Sequence, residues 1–483
     1  MLTLFIILPL CGAFIIFLAG KYSKHISYFM GWFIPAILSI LSIKLLLAKE
    51  VFTYNIGGWA PPLGITLVGD GLSLLFLAVV NVVVLMAAIY SIPYIEKYTS
   101  KWIYFALFLV MHASMNAALL TGDIFNLFVW IEIGGIASYI LVSYVVEPEQ
   151  LEASFKYAVL SSVGLLMVLL GIGLLYAYAS TLNMADIARV LSAKPNPKLI
   201  NFIVVLFIVG FGTKAAIVPF HAWLPDAHSS APSPISALLS GVLIKSLGVY
   251  ALIRVLFNVI GMNAQLKEVI IVLGCISMVV GVLLAFYQWD FKRLLAYHSI
   301  SQIGYILLGI GLGTPLGILG GLFHLVNHSV FKSLLFLNAG AVEYSTGTRD
   351  LKQLGGLSGK MPITGSTSLI ASMSIAGIPP FNGFWSKFII IFACIQAGKF
   401  WLGFIAVVVS LLTLSSFLKV QKYAFFGELK EQWKELKEVP WLMCLSMIIL
   451  SLMCIGFGLL LVPAIRSFVF DPAVSVLLNG IKI

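Results

Sequence analysis

Apolar runs of roughly 20 residues, the length a helix needs to cross the hydrocarbon core of a bilayer, recur along this chain with short polar stretches between them. By that criterion the pattern predicts about fourteen transmembrane helices, near 2–19, 28–47, 70–91, 103–120, 124–145, 155–178, 203–222, 233–255, 268–287, 294–313, 315–340, 365–395, 401–420 and 440–463. The gaps are at most about 25 residues long, too short for a soluble domain. The chain is therefore expected to be an all-α integral membrane protein forming a single membrane domain, 1–483.

Two spans contain helix breakers. Span 7 carries Pro219 within KAAIVPFHAWLP, and span 12 carries Pro379 and Pro380 within GIPPFNGFWSK. Proline removes a backbone donor and clashes with the preceding turn, so both helices are expected to open near mid-membrane. Paired interruptions in corresponding places are the sequence sign of a repeated transporter fold. Span 7 is the fourth of a unit made of spans 4–8 (103–257), and span 12 is the fourth of spans 9–13 (268–420). Spans 1–3 (1–102) precede these units and span 14 (440–463) follows them. Five helices per unit start the second unit on the opposite side, so the two repeats are expected to be inverted.

Composition agrees with a membrane protein: 61% of residues are hydrophobic and 10% charged. A net charge of +10 would point to nucleic acid in a soluble chain. Here the cations are spread thinly over loops, the pattern that orients spans, so a nucleic-acid role is excluded. They favour the loops after odd-numbered spans, at Lys21, Lys24, Lys97, Lys101, Lys292, Arg293, Arg349, Lys352 and from Lys419 to Lys437. With an even number of spans, this bias places both termini outside. The run Leu2 to Leu18 lacks a preceding basic region and a cleavage site, and reads as a retained first span. The segment from Glu428 to Glu438 mixes both signs and reads as a short solvated interfacial helix. All five cysteines lie in apolar stretches without a CxxC, so no disulfide framework, zinc site or iron–sulfur site is indicated and no cofactor is expected.

A charge at the centre of a membrane helix costs about 2.5–3.5 kcal/mol on insertion scales, so each one needs a partner, a cavity or a function. This chain has Glu132 in span 5, Lys214 in span 7, Lys245 in span 8, Lys332 in span 11 and Lys387 in span 12. Any one of them could simply fix helix packing as half of a buried ion pair. Together they leave four ammonium groups with one carboxylate, so some must be neutral, hydrated or alternating in state. Desolvation favours neutral lysine and a nearby carboxylate favours the charged form, so moving that carboxylate loads or unloads a proton. The favoured pairing is Glu132 with Lys214, with Lys245 and Lys387 holding the proton further along.

Span 11 reads HLVNHSVFK, with His324, His328 and Lys332 four residues apart on one helical face. Imidazole both accepts and donates protons near neutral pH, so such a face suits proton relay. Two histidines at this spacing could also ligate a haem or metal, but no acidic or thiol set stands nearby to complete that site. After span 7, HAWLPDAHSSAPSP places His221, Asp226 and His228 beside the broken helix. Two readings stand, a proton entrance or a capped loop. Ser299, Ser301 and Gln302 read as helix-packing groups of span 10, and Asp290, Lys292 and Arg293 as its loop edge.

The segments GFGTKAAIVPFHAWLPDAHSSAPSPISALLSGVLIKSLGVYALIRV, HLVNHSVFKSLLFLNAGAV and GIPPFNGFWSKF together resemble the antiporter-like subunits shared by respiratory complex I, Mrp-type sodium/proton antiporters and membrane-bound hydrogenase-type complexes. The resemblance covers spans 3 to 13, and the short C-terminus is most similar to the D subunit of an Mrp antiporter or its counterpart in an energy-converting hydrogenase. It implies a hydrated lateral proton path through Glu132, Lys214, Lys245, His324, His328, Lys332 and Lys387, a prokaryotic cell membrane, and homologous pumping subunits and small membrane subunits as partners. In an Mrp assembly the proton gradient drives sodium export. In a hydrogenase-type or complex I-like assembly, redox chemistry on other subunits drives pumping. Two competing readings are a subunit that binds quinone or another redox cofactor, and a scaffold whose buried charges only tie helices together.

Overall fold

The structure is a computed structural model and describes residues 1–480. Among the described residues eleven helices are long and apolar enough to cross a membrane: Lys24–Leu47, Gly71–Lys97, Lys101–Leu120, Ile124–Val142, Pro148–Ala179, Pro197–Ala215, Ser233–Ile260, Ala264–Phe286, Phe291–Gly311, Phe400–Phe426 and Trp441–Leu461. The three expected spans outside that set depart from it for separate reasons. Span 1 is the shorter helix Leu4–Ala19. Span 11, Pro315–Thr346, is long but diluted by His324, Asn327, His328, Lys332 and Asn338. Span 12 is split into Pro362–Ala376 and Asn382–Gln396.

The breakers act where expected. In span 7 the helix stops at Ala215, the chain passes through Pro219, and a short helix, Trp223–Ser230, resumes. Ala216 closes the first half in the left-handed region, and its N–H is bonded back to Gly212. In span 12, Gly377 plays that part at φ +83, a conformation glycine enters without steric cost. Each five-helix unit thus carries its interruption in its fourth helix.

Burial sorts the helices into a core and a lipid-facing shell. Span 8 is buried along its whole described window, and span 11 is buried without a gap from Gly317 to Val342. A helix covered on all sides has no need of an amphipathic face. Spans 6 and 13 instead turn Phe155, Leu166, Leu170, Trp401, Phe404 and Leu411 outward, as lipid-facing helices do.

Two local expectations need correction. The segment from Glu428 to Glu438 forms only the turn Glu431–Trp433. So short a stretch is poor at helix nucleation, and its side chains instead tie down the loop after span 11: Lys430 donates to the Lys352 carbonyl at 2.6 Å and Trp433 to that of Gln353 at 3.2 Å. Between spans 2 and 3, the strands Phe52–Asn55 and Thr66–Gly69 pair antiparallel, an element no apolar run announces.

Candidate functional site

Lys214 occupies the last turn of the first half of span 7, where unpaired carbonyls and the helix dipole favour a cation. Its side chain is 2% exposed. The expected contact with Glu132 is not made. The ammonium donates to the Tyr139 hydroxyl at 2.9 Å, and its Nζ lies 5.2 Å from the Tyr139 ring centre. Gly135 makes this possible, because a Cβ there would sit 2.8 Å from both Nζ and the tyrosine oxygen. Glu132 lies one turn earlier on span 5 and is half-buried. Tyr139, two turns beyond it on the same face, holds the lysine in its place.

Lys245 follows on span 8, within a π-helical stretch, Leu239–Tyr250. Such winding is rare and gathers at functional sites. The buried ammonium donates to the Ser240 carbonyl, and the Ser240 hydroxyl meets that of Ser299 on span 10 at 2.7 Å. Small residues bring the neighbours close on both sides of this lysine. A Cβ on Gly248 would lie 2.5 Å from the Ala215 nitrogen on span 7, and one on Gly241 would collide with Ser333 on span 11.

The span 11 face is as the spacing predicts. His324, His328 and Lys332 are fully buried, and the two imidazoles stack with centroids 6.4 Å apart. His324 is held at both nitrogens, by Gln302 at 3.1 Å and Ser386 at 2.9 Å. Gln302 is therefore part of the site as well as of helix packing. Neither nitrogen of His328 has a hydrogen-bond partner among the described residues. Lys332 donates to the Leu295 carbonyl.

Lys387 completes the line from the second half of span 12. It donates to the carbonyls of Ile375 at 2.8 Å and Ala376 at 3.3 Å, and to the Ser410 hydroxyl at 3.1 Å. Aligning the two breaks on Pro219 and Pro380 sets Ile375 opposite Lys214, since each lies five residues before its proline (219 − 214 = 380 − 375 = 5). The two units therefore place an ammonium at the same end of the same half-helix, supplied from different sides of the break. Tyr305 joins this end to the ladder, 4.9 Å from Lys387 and 5.5 Å from His324.

The loop residues divide. Asp226 pairs with Arg293 at 2.9 Å and Lys156 at 3.2 Å, and His221 is half-buried in the turn. His228 is fully buried between Trp223 and Phe336, with neither nitrogen partnered among the described residues. Close by, a cavity of about 360 Å³ is lined by Glu147, Glu149, Asp290, Lys292, Glu343 and Arg349. Lys292, read from sequence as a loop edge, is 1% exposed and donates to the Ala231 carbonyl at 2.6 Å and to Glu343 at 3.5 Å. Its place in the first turn of span 10 disguised it. Tyr139 and Ser386 were also missed, since hydroxyls in apolar helices are too common to single out. Among the described residues no group of three or more His, Cys, Asp or Glu is placed to hold a metal ion.

Comparison with known proteins bears on this geometry. The family described as NADH:quinone oxidoreductase/Mrp antiporter, transmembrane, matches residues 121–413, the stretch that holds every residue of the line. The D subunit of the Na+/H+ antiporter of Alkalihalophilus pseudofirmus is 36% identical over 434 residues, 88% of this chain and 87% of that one. A chain in the structure of the Mrp complex from Dietzia sp. superposes with a TM-score of 0.91 at 27% identity, covering 99% of this chain and 97% of that one. A chain of the membrane-bound sulfane sulfur reductase, an archaeal respiratory membrane complex, does so with a TM-score of 0.91 at 30% identity, over the same shares. Broken helices, buried lysines and near-complete overlap together make this chain a member of the transmembrane subunit family shared by NADH:quinone oxidoreductases and Mrp antiporters.

Proposed function

We propose that this chain is the proton-translocating subunit of a multisubunit ion-pumping membrane complex, of the kind represented by the D subunit of an Mrp Na+/H+ antiporter. The observation that carries the reading is the line of buried cations and imidazoles. Lys214, Lys245, His328, Lys332, His324 and Lys387 follow one another across spans 7, 8, 11 and 12, each on a helix packed against the next. Burying so many titratable groups without carboxylate partners is costly. A role that needs each to gain and lose a proton accounts for their presence. Glu132 begins the line and acts on Lys214 through space. Tyr139 carries the hydrogen bond between their helices.

Protons enter by way of the acidic cavity at Glu343 and Lys292 and the buried imidazole of His228. Asp226 and His221 border this entrance. The unpartnered nitrogens of His328 and His228 accept and donate to water, and each hop between neighbours passes the proton through such water. The loops around this cavity are those richer in lysine and arginine, which sets them in the cytoplasm and both termini outside, in a prokaryotic cell membrane.

The test is proton-coupled transport in vesicles holding the whole complex, with assembly checked for each variant. Glu132→Gln and Lys214→Ala should each lower transport at least tenfold, equivalent to about 1.4 kcal/mol or more on the barrier. Parent rates in both would leave these residues as structural members only. A second reading has the same path driven by redox chemistry on other subunits, as in a respiratory complex. The similarity to the sulfane sulfur reductase chain favours it. Transport driven by a sodium gradient alone separates the two.

A further inference from the structure

The polar file on span 8 continues past Lys245. π-Helical winding bonds residue i to i+5, so Tyr250, five residues on, lies on the face that carries Lys245. One α-helical turn further comes Arg254, where a second π-helical stretch, Arg254–Ile260, begins. Lys245, Tyr250 and Arg254 form a file no more than about 14 Å long at the α-helical rise.

The file ends on a buried ion pair. Arg254 is 4% exposed and Asp70 2%. The guanidinium donates to both oxygens of Asp70 at 2.7 Å each, to the Tyr250 hydroxyl at 3.1 and 3.2 Å, and to Asn258 at 3.1 Å. The Tyr250 hydroxyl donates onward to the Leu119 carbonyl at 2.7 Å. Beyond the pair opens a cavity of about 520 Å³, whose wall includes Asp70, Tyr250 and Arg254 with Thr121, Asn183 and Asp186. The loops that build it follow even-numbered spans. It therefore lies at the end of the molecule opposite the cavity at Glu343 and Lys292.

One side of this pair is the wall of a cavity that carries Thr121, Asn183 and Asp186, and the other side is bonded to Tyr250, on the helix face that carries Lys245. A pair serving packing alone would need neither. We propose that this cavity is the outer mouth of the proton path and that the Asp70–Arg254 pair is its gate, closed while the guanidinium is clamped on the carboxylate. The inference rests on the proton-path reading given above. In the open state Arg254 leans to Asn258, one turn along the π-helical stretch, and frees the carboxylate. The Lys245 ammonium gives up one N–H proton and becomes an amine. Water and the Tyr250 hydroxyl hand that proton past the opened pair to cavity water, which carries it away as hydronium.

The test uses the whole complex in vesicles. Asp70→Asn combined with Arg254→Gln removes both charges together and leaves no unpaired charge in the interior. The expected result is normal assembly with a passive proton leak raised several-fold, and loss of that leak when Lys245→Ala is added. If the double variant assembles and neither leak nor coupled transport changes, while Lys245→Ala alone abolishes coupled transport, the gate is overturned and the path stands. If Lys245→Ala alone leaves transport intact, the path reading fails and takes the gate with it. If the double variant does not assemble, Tyr250→Phe replaces it, since the ring keeps its packing on Phe76 at 5.1 Å and loses only the hydroxyl. Slowed proton transport then supports the file, and the parent rate overturns it.

Discussion

Lys214 owes its position to an atom that is missing. The hydrogen at Gly135 is what lets the ammonium and the Tyr139 hydroxyl meet, and a methyl group would sit 2.8 Å from each. Gly135→Ala should therefore cost about 1–3 kcal/mol as overpacking and push the lysine off span 5. Its signature is a transport defect as large as that of Lys214→Ala in a complex that still assembles. Parent-like transport would show that the contact is dispensable. Asp70 offers a test by pH. Burial alone would raise its carboxyl, but the Arg254 guanidinium beside it, with hydrogen bonds from Arg254 and Ser73, holds it below the usual carboxylate range. A lowered folded value means the stabilisation is complete above the unfolded value of about 4 and is lost only as pH falls through the lower folded one. Asp70→Asn leaves Arg254 unpaired and should cost about 3–5 kcal/mol. Thermal unfolding of the purified complex should show the same deficit at pH 8 and pH 5. A deficit that fades between those values would contradict the assignment.

Among the elements, the broken helices were legible because proline cannot hide in a membrane span, and Pro219 and Pro380 each stand between two half-helices. The histidine ladder was legible for a similar reason, since a spacing of four on an apolar helix admits one geometry. The Lys214–Tyr139 contact was not, because spacing says which face a residue occupies and nothing about which of two groups on that face, Glu132 or Tyr139, wins the partner. The segment before Pro440 was misread as a helix for want of the contact that explains it. The first half of span 12 begins at Pro362, and its cap residue, Met361, has no side-chain acceptor to offer. Glu438 supplies one from a distance, accepting from the Ile363 and Thr364 nitrogens at 2.8 and 3.2 Å and from the Thr364 hydroxyl at 2.7 Å. Glu438→Ala should lower stability by about 1–2 kcal/mol, the size of a lost helix cap. Hydrogen exchange should quicken over the first turn of Pro362–Ala376 and not elsewhere, and uniform exchange would contradict the capping role.

At the scale of the whole molecule, a buried span 8 closes the first unit against span 11 of the second, and the broken helix of each unit holds an ammonium group at the end of its first half. Lys245 is the midpoint of the line and also the head of the file that runs to Asp70. The most direct measurement replaces it with a residue that keeps the charge and cannot release the proton. Arginine is such a residue, since it stays protonated at any pH a protein meets. Proton-coupled transport in vesicles of the whole complex should be lost in Lys245→Arg as fully as in Lys245→Ala, with assembly retained. Transport at the parent rate in Lys245→Arg would mean that only the charge is needed there, and would contradict a proton carried by lysine.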